Sequence, residues 1–376
     1  ALRTVRLGGN GAWAAGDGAT LAAALGAASC VVAELDVSGS GLGADEALAL
    51  VAAGRALQTL RLGEWAVPVG ELRSGGEAVS TGGLAVGEAE GAVVGALLRA
   101  STSLTTLDLS GSRCVPATLV RLSEGLKASV APLAELRLGG LIHGEGAASV
   151  AARLAALVRG ACRPSLRLID CTKQAGGKAG VCALFAAEGE GVVASLAALM
   201  STAGNALATV RLGGNGPWAE GDGRRAFASA LGAASCVVAE LDVSGSMLAA
   251  DECLALANAR HLHTLDLSGT AVAASAASLE AVLTGRLRSL ALRGLGLGAL
   301  DGGKAVPLLC DALRRITALR HLSLIGNRLS VEHVTSLIAA AAGLRELHVD
   351  LRHNPAYPSA VPHLPTGWLL DLGPAA

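Results

Sequence analysis

Apolar and polar residues follow a short frame, L-x-x-L-x-L, that recurs along nearly the whole chain. It starts at Leu2, Val32, Leu57, Leu104, Leu133, Leu166, Leu207, Val238, Leu262, Leu287, Leu319 and Leu344, with Val, Ile or Cys standing in for Leu in places. Clear instances are LTTLDLSGS at 104–112, LHTLDLSGT at 262–270 and LRHLSLIGNRL at 319–329. Alternation of this kind predicts a short strand with one buried face. Most starts lie 24 to 33 residues apart, with longer gaps after Leu57 and Leu166. The residues between carry apolar positions at helical spacing, as in GATLAAALGAA and SVEHVTSLIAAAAGL. Strand, turn and helix are therefore expected in repeated alternation. Strands joined by helices run parallel, with the helices covering the other face. One such unit cannot bury its own apolar side, so units must stack.

A longer repeat lies over the short one. ALRTVRLGGNGAW at 1–13 returns as ALATVRLGGNGPW at 206–218, and LGAASCVVAELDVSGS at 25–40 returns unchanged at 231–246. Pairs of units were duplicated together, which a stacked array tolerates because each unit meets only its neighbours.

The frame resembles the leucine-rich repeat family, L-x-x-L-x-L-x-x-N-x-L. Its long units, with GDG or DGG before the helix, are most similar to the ribonuclease-inhibitor subfamily. The resemblance implies an α/β solenoid of about twelve repeats: a curved arc with parallel strands on the concave face and helices on the convex face. At ~4.8 Å between strands, the inner arc would span on the order of 50 Å. The Asn of the motif is kept at Asn10, Asn215 and Asn327, and is replaced by Ser40, Ser112, Ser246, Thr270, Trp65, Leu141 and Leu295. Those turns must satisfy their backbone in other ways.

Residues 1–352 are expected to form the solenoid, with irregular insertions near 63–100 and 172–192. The Gly-rich run GELRSGGEAVSTGGLAVGEAEG in the first is expected to protrude as a loop. Residues 353–376 open Pro-rich, HNPAYPSAVPHLPTGW, and read as a C-terminal cap or tail. The chain starts directly in a strand, so a preceding portion is expected.

Composition narrows the function classes. Hydrophobic residues make up 52% and aromatics 2%, so the core must be built from Leu, Val and Ala. The net charge of −1 offers no electrostatic footprint for nucleic acid or an anionic membrane. The most apolar run, ATLAAALGAASCVVA at 19–33, is shorter than the roughly 20 residues of a membrane span. Eight Cys without a CxxC pair, and no Asn-x-Ser/Thr sequon, favour a reducing, intracellular setting with free thiols.

The residue between the last two apolar positions of each frame should point to the strand face. Down the array these are Arg6, Asp36, Arg61, Asp108, Arg137, Asp170, Arg211, Asp242, Asp266, Ala291, Ser323 and His348. The first eight alternate Arg and Asp, which predicts a cross-strand ladder of opposite charges. That ladder reads as structural register and as a polar surface for a protein partner; its carboxylates argue against direct nucleic-acid readout. In the last strands Arg293, His321, Glu346, His348 and Asp350 are expected near one another, chiefly as an exposed polar patch, with a metal or acid–base site as the alternative reading. No metal, cofactor or catalytic residue is expected. GALDGGKA at 298–305 resembles a phosphate-binding loop but ends in Ala305 where a hydroxyl is needed. No Ser/His/Asp, Cys/His or paired-carboxylate constellation stands out.

These features imply a non-catalytic interaction or scaffold module, a structural subunit of a larger intracellular assembly with protein partners, no membrane and no small-molecule substrate. A cytoplasmic, cytoskeletal or flagellar place is expected, with an organelle kept open. The alternative is a regulator of a small GTPase, since Ran GTPase-activating proteins share the repeat subtype. A third reading is the recognition part of a ubiquitin-ligase adaptor or immune sensor. On the scaffold reading, Asp170→Arg should weaken partner capture and leave the fold intact.

Overall fold

The computed structural model describes residues 2–141, 147–173, 191–215, 222–246, 255–256, 258–270, 279–280, 282–283, 286–355 and 367–371. The chain divides into two compact units. The first comprises Ala1–Lys178 and Ala183–Leu199, the second Ala179–Cys182 and Met200–Ala376.

The first unit alternates strand and helix: β1 (Thr4–Arg6), α1 (Asp17–Leu25), β2 (Glu34–Asp36), α2 (Ala44–Ala53) and β3 (Thr59–Arg61). After β4 (Ala66–Val67), α3 (Val69–Arg73), β5 (Ala78–Ser80) and β6 (Ala85–Val86) come α4 (Glu88–Ala100), β7 (Thr106–Asp108) and β8 (Arg113–Cys114). It continues through α5 (Pro116–Ala128), β9 (Glu135–Arg137), α6 (Ala147–Ala161), β10 (Leu168–Asp170) and α7 (Val192–Met200), whose last residue belongs to the second unit. β1, β2 and β3 pair in parallel, and β4 folds back antiparallel on β3. β5, β7, β9 and β10 form a second parallel ladder, and β6 pairs with β8 beside it.

The second unit is a single ladder in chain order. β11 (Thr209–Arg211), β12 (Glu240–Asp242), β13 (Thr264–Asp266), β14 (Ser289–Ala291), β15 (His321–Ser323), β16 (His348–Asp350) and β17 (Leu369–Asp371) each run parallel to the next. Its helices include α8 (Asp222–Gly232), α9 (Ala305–Arg315) and α10 (Val331–Ala341).

The frame explains the core. In every three-residue strand except the terminal β1 and β17 the middle side chain is buried, as with Leu35, Leu60, Leu107, Leu136, Ile169 and Leu265, and the flanking two face outward. Helices meet the strands through Leu50, Leu119, Leu122 and Leu126. Where α4, α5 and α6 stack, glycines replace side chains. A Cβ on Gly95 would overlap the Arg121 carbonyl oxygen, and one on Gly91 would come within 2.8 Å of Thr118 Cα.

The turn after each strand carries its own ladder. The Gly39 N-terminal neighbour Ser38 offers its carbonyl to the Gly9 N–H at 2.9 Å, and Gly245 N–H donates to Ser268 O at 2.7 Å. Gly39 (φ 75°) and Gly245 (φ 69°) sit in the left-handed region that side chains disfavour. Two of the motif Asn residues donate to the carbonyl three residues back, Asn10 to Leu7 (2.8 Å) and Asn215 to Leu212 (2.6 Å), whereas Asn327 donates to Leu292 of the preceding repeat (2.6 Å). The Ser and Thr replacements keep that bond in shortened form, Thr270 Oγ1 to Leu267 O at 2.7 Å and Ser246 Oγ to Val243 O.

Three expectations change. The Gly-rich run after Gly63 is not a protruding loop: it holds α3, the start of α4, and β5 in the ladder beside β7. Val79 is buried at the middle of β5, but Gly76 and Thr81 occupy the flanking Leu positions and hide the frame. The segment expected as a cap or tail contributes β17 as one more strand of the ladder, and the Trp368 Nε1–H donates to Leu344 O at 3.0 Å. The last frame also shifts by two residues. Glu346 has φ 57°, so the chain turns there and Val349, not Leu347, aligns with Leu322. Asn354 thereby becomes a motif Asn that the frame from Leu344 does not show. Most of the insertion expected at 172–192 lies outside the described residues.

One buried acid sits in this framework. Glu90, near the start of α4, is 5% exposed, and its carboxylate lies so close to Gly63 that a Cβ there would overlap it. Burial pushes its pKa up, and the hydrogen bonds from the Glu90 and Gly87 backbone only partly offset this. An unfolded Glu loses its proton at about pH 4.3, whereas folded Glu90 holds it to higher pH. Its contribution to stability is therefore full below that value and is lost as pH rises through the folded pKa. Glu90→Gln is expected to match the parent at pH 4 and to exceed it in denaturant midpoint at pH 7. Equal midpoints at pH 7 would show that this carboxylate carries no burial penalty.

Candidate interaction surface

The outward residues of the strands form two columns on the strand face. One contains the position after the buried residue, the other the position before it. In the first unit Arg6, Asp36 and Arg61 are in register, as are Ser80, Asp108, Arg137 and Asp170. In the second unit the column runs Arg211, Asp242, Asp266, Ala291, Ser323, Asp350 and Asp371. The companion positions carry Glu34 and Glu135 in the first unit, and Glu240, His321 and His348 in the second.

The expected alternation of charge is interrupted, and one expected column position changes. Ser80 precedes Asp108 in the second ladder, and β5 pairs with β7 while β3 pairs with β2 and β4. His348 belongs to the companion column, in register with His321, and Asp350 takes the place expected for it.

The acidic residues have a local task. Each accepts a hydrogen bond from the backbone N–H two residues on: Asp36 from Ser38 (3.0 Å), Asp108 from Ser110 (2.9 Å), Asp170 from Thr172 (2.9 Å), Asp242 from Ser244 (2.9 Å) and Asp266 from Ser268 (2.8 Å). This Asx-turn locks the strand exit, and it is why Leu-Asp-x-Ser-Gly recurs. At Asp36 burial raises the carboxyl's pKa, but the bonds from Ser38 and the nearby Arg61 and Arg6 outweigh it, and the net shift is downward.

The arginines turn largely to the companion column. Arg137 pairs with Glu135 of its own strand at 2.7 Å, and Arg211 with Glu240 of the next strand at 2.8 Å. Arg61 keeps the expected cross-strand contact, 4.0 Å from Asp36. All are partly exposed, so each pair contributes at most about 1 kcal/mol. Glu135 and Glu240 were readable as residues preceding the buried Leu; Glu135 shares a strand and a face with Arg137, whereas only the register shows that Glu240 meets Arg211.

At the end of the second unit the His321 and His348 rings lie 5.9 Å apart, edge to face at 72°. Arg293 Nε donates to Ser323 Oγ at 3.1 Å. Asp350 binds Arg352 through Oδ1 at 2.9 Å and Oδ2 at 2.6 Å, and Arg352 also lies 3.5 Å from Asp371. Burial raises the Asp350 pKa, but Arg352 and Arg293 overcome this and hold it low. Glu346 stands just before β16, at the turn that sets the shifted register.

Among the described residues, no three His, Cys, Asp or Glu side chains converge as a metal cluster. Burial pushes the Cys114 and Cys162 thiols up to about 12, which makes them poor nucleophiles. GALDGGKA forms a 3₁₀ turn over Leu300–Gly303 that leads into α9.

In-register parallel strands, one buried Leu frame and Asn, Ser or Thr under most of the turns decide the architecture. The fold is a leucine-rich repeat solenoid. No family model and no curated protein matches the chain. Among solved structures it is similar to the leucine-rich repeat protein LegL7 of Legionella pneumophila, with 16% identity and a TM-score of 0.41 over 92% of this chain and 89% of that one. It is also similar to TLR13 in its complex with ssRNA13, at 14% identity and a TM-score of 0.43, over 94% of this chain and 51% of that one. An internalin, inlF, of Listeria monocytogenes gives 14% identity and a TM-score of 0.37, over 83% and 81%. No helix among the described residues is long and apolar enough to cross a membrane.

Proposed function

We propose that this chain is a non-catalytic scaffold of the ribonuclease-inhibitor-like repeat type, which binds protein partners through its strand faces as a structural subunit of a larger assembly. The carrying observation is that the outward columns stand on a backbone pinned at five strand exits. Asp carboxylates hold the exits of β2, β7, β10, β12 and β13, and the glycine turns are hydrogen-bonded to the next repeat. A rigid polar surface loses little conformational freedom on binding. Its arginines already face carboxylates, which suits a protein of mixed charge better than a phosphate backbone.

The test is affinity capture with gentle cross-linking, comparing the parent with face variants. Asp170→Arg is a poor choice, because it removes the turn bond to Thr172. Arg137→Glu changes the face alone. It is expected to lower near-stoichiometric recovery of a defined partner set at least tenfold with unchanged thermal unfolding. Undiminished recovery from Arg61→Glu, Arg137→Glu and Arg211→Glu would remove the strand face as the site, and recovery of a single small GTPase would replace the scaffold reading.

A further inference from the structure

The geometry points to a solvent-open site for one divalent transition metal ion, held by the imidazoles of His321 and His348. Its remaining coordination positions are left to water or to a partner's side chain. The inference stands apart from the proposed scaffold role and rests on three observations.

The first is register. His321 and His348 are direct partners on adjacent parallel strands, β15 and β16, so both side chains leave the same face about 4.8 Å apart. Local sequence cannot bring them together, since 27 positions separate them; the two-residue shift at Glu346 does.

The second is ring geometry. Zinc–imidazole bonds measure about 2.0–2.1 Å, which places a metal roughly 3.2 Å from each ring centre. Two rings sharing one ion at a tetrahedral angle then lie about 5.2 Å apart, centre to centre. The observed separation is 5.9 Å, so a small rotation of the side chains closes the chelate.

The third is availability. Among the described residues neither imidazole makes a hydrogen bond, and their mutual edge contact is the interaction they have. His321 is exposed and His348 half-buried. The cationic groups nearby are already engaged: Arg293 with Ser323, Arg352 with Asp350 and Asp371, and Arg320 with the Thr317 and Leu319 carbonyls. The carboxylates of Asp350 and Asp371 add negative charge in the adjacent column.

Two imidazoles and no third protein ligand make a weak site with a defined preference. Nitrogen donors select copper over nickel and zinc, whereas calcium and magnesium require oxygen cages.

Copper(II) titration of the full chain tests this by calorimetry and electron paramagnetic resonance. The parent is expected to take one copper with a two-nitrogen signature at this site, in the presence of excess calcium. His321→Gln and His348→Gln should each lower affinity at least tenfold and leave at most one nitrogen. His263→Gln, just before β13, should change neither. Thermal unfolding of the variants should match the parent, because both residues face outward. Copper binding that is absent, that survives both substitutions with the same affinity and signature, or that calcium displaces would overturn the assignment.

Discussion

Replacing Gly125 by valine is expected to destabilise the first unit by about 3 kcal/mol or more, although the same change in an ordinary exposed helix would cost little. Glycine in a helix interior is disfavoured by roughly 1 kcal/mol relative to alanine, so propensity alone predicts that Gly125→Ala stabilises. Packing reverses the sign. A Cβ at Gly125 would overlap the Gly95 carbonyl and come within 2.7 Å of Gly95 Cα. The obstacle is backbone on both sides, so α4 and α5 must separate, and the close stack then loses dispersion contacts along its length. Gly125→Ala is therefore expected to lose about 1–3 kcal/mol and Gly125→Val more. Gly232, at the end of α8, would meet only the Asn258 Cβ at 4.0 Å, so Gly232→Ala should be neutral or stabilising. Denaturant midpoints and hydrogen exchange across α4–α6 measure the difference. A Gly125→Ala protein as stable as its parent would mean that these helices yield more easily than their backbone contact implies.

Asn354→Ala is expected to cost about 3 kcal/mol or more, through four backbone groups rather than through the side chain's own burial. Asn354 Nδ2 donates to Leu324 O at 2.9 Å and Leu351 O at 2.8 Å, and Oδ1 accepts from Asn327 N at 2.9 Å and Leu329 N at 3.1 Å. The residue is 5% exposed, and Asn327 above it is fully buried. Each buried group left without a partner costs about 1–3 kcal/mol, and these costs overlap where water can enter. Asn327 extends the chain of bonds, donating to Leu292 O at 2.6 Å and accepting from Leu295 N at 2.9 Å. Asn10 has the same place in its repeat but is exposed, with one such bond, so Asn10→Ala should cost no more than about 1 kcal/mol. Thermal unfolding should separate the two variants clearly, and the Asn327 and Leu329 amides should lose exchange protection only in the first. Equal effects would mean that burial does not set the value of this turn network.

Much of the architecture was legible in the chain itself. The L-x-x-L-x-L frame depends on alternation within a few residues, and the three-residue strands with buried centres follow from it at nearly every expected start. The Asp-x-Ser-Gly turns are equally local, since an Asp carboxylate reaches the backbone two residues ahead in any such context. β5 was hidden because Gly76 and Thr81 stand where leucines mark other repeats, and only Val79 meeting the core gives that segment a buried face.

Partner choice belonged to the tertiary structure. Residues in register on neighbouring parallel strands lie some 21 to 33 positions apart, and a shift of one or two residues changes every pairing in a column. Register therefore brings Glu240 to Arg211, whereas Arg137 turns to Glu135 two residues back on its own strand. The left-handed turn at Glu346 likewise sets His348 beside His321 and brings Asn354 under the Asn327 turn. Periodicity determined which side chains are buried and which face outward; register, imposed by packing between distant segments, decided which of the outward ones meet.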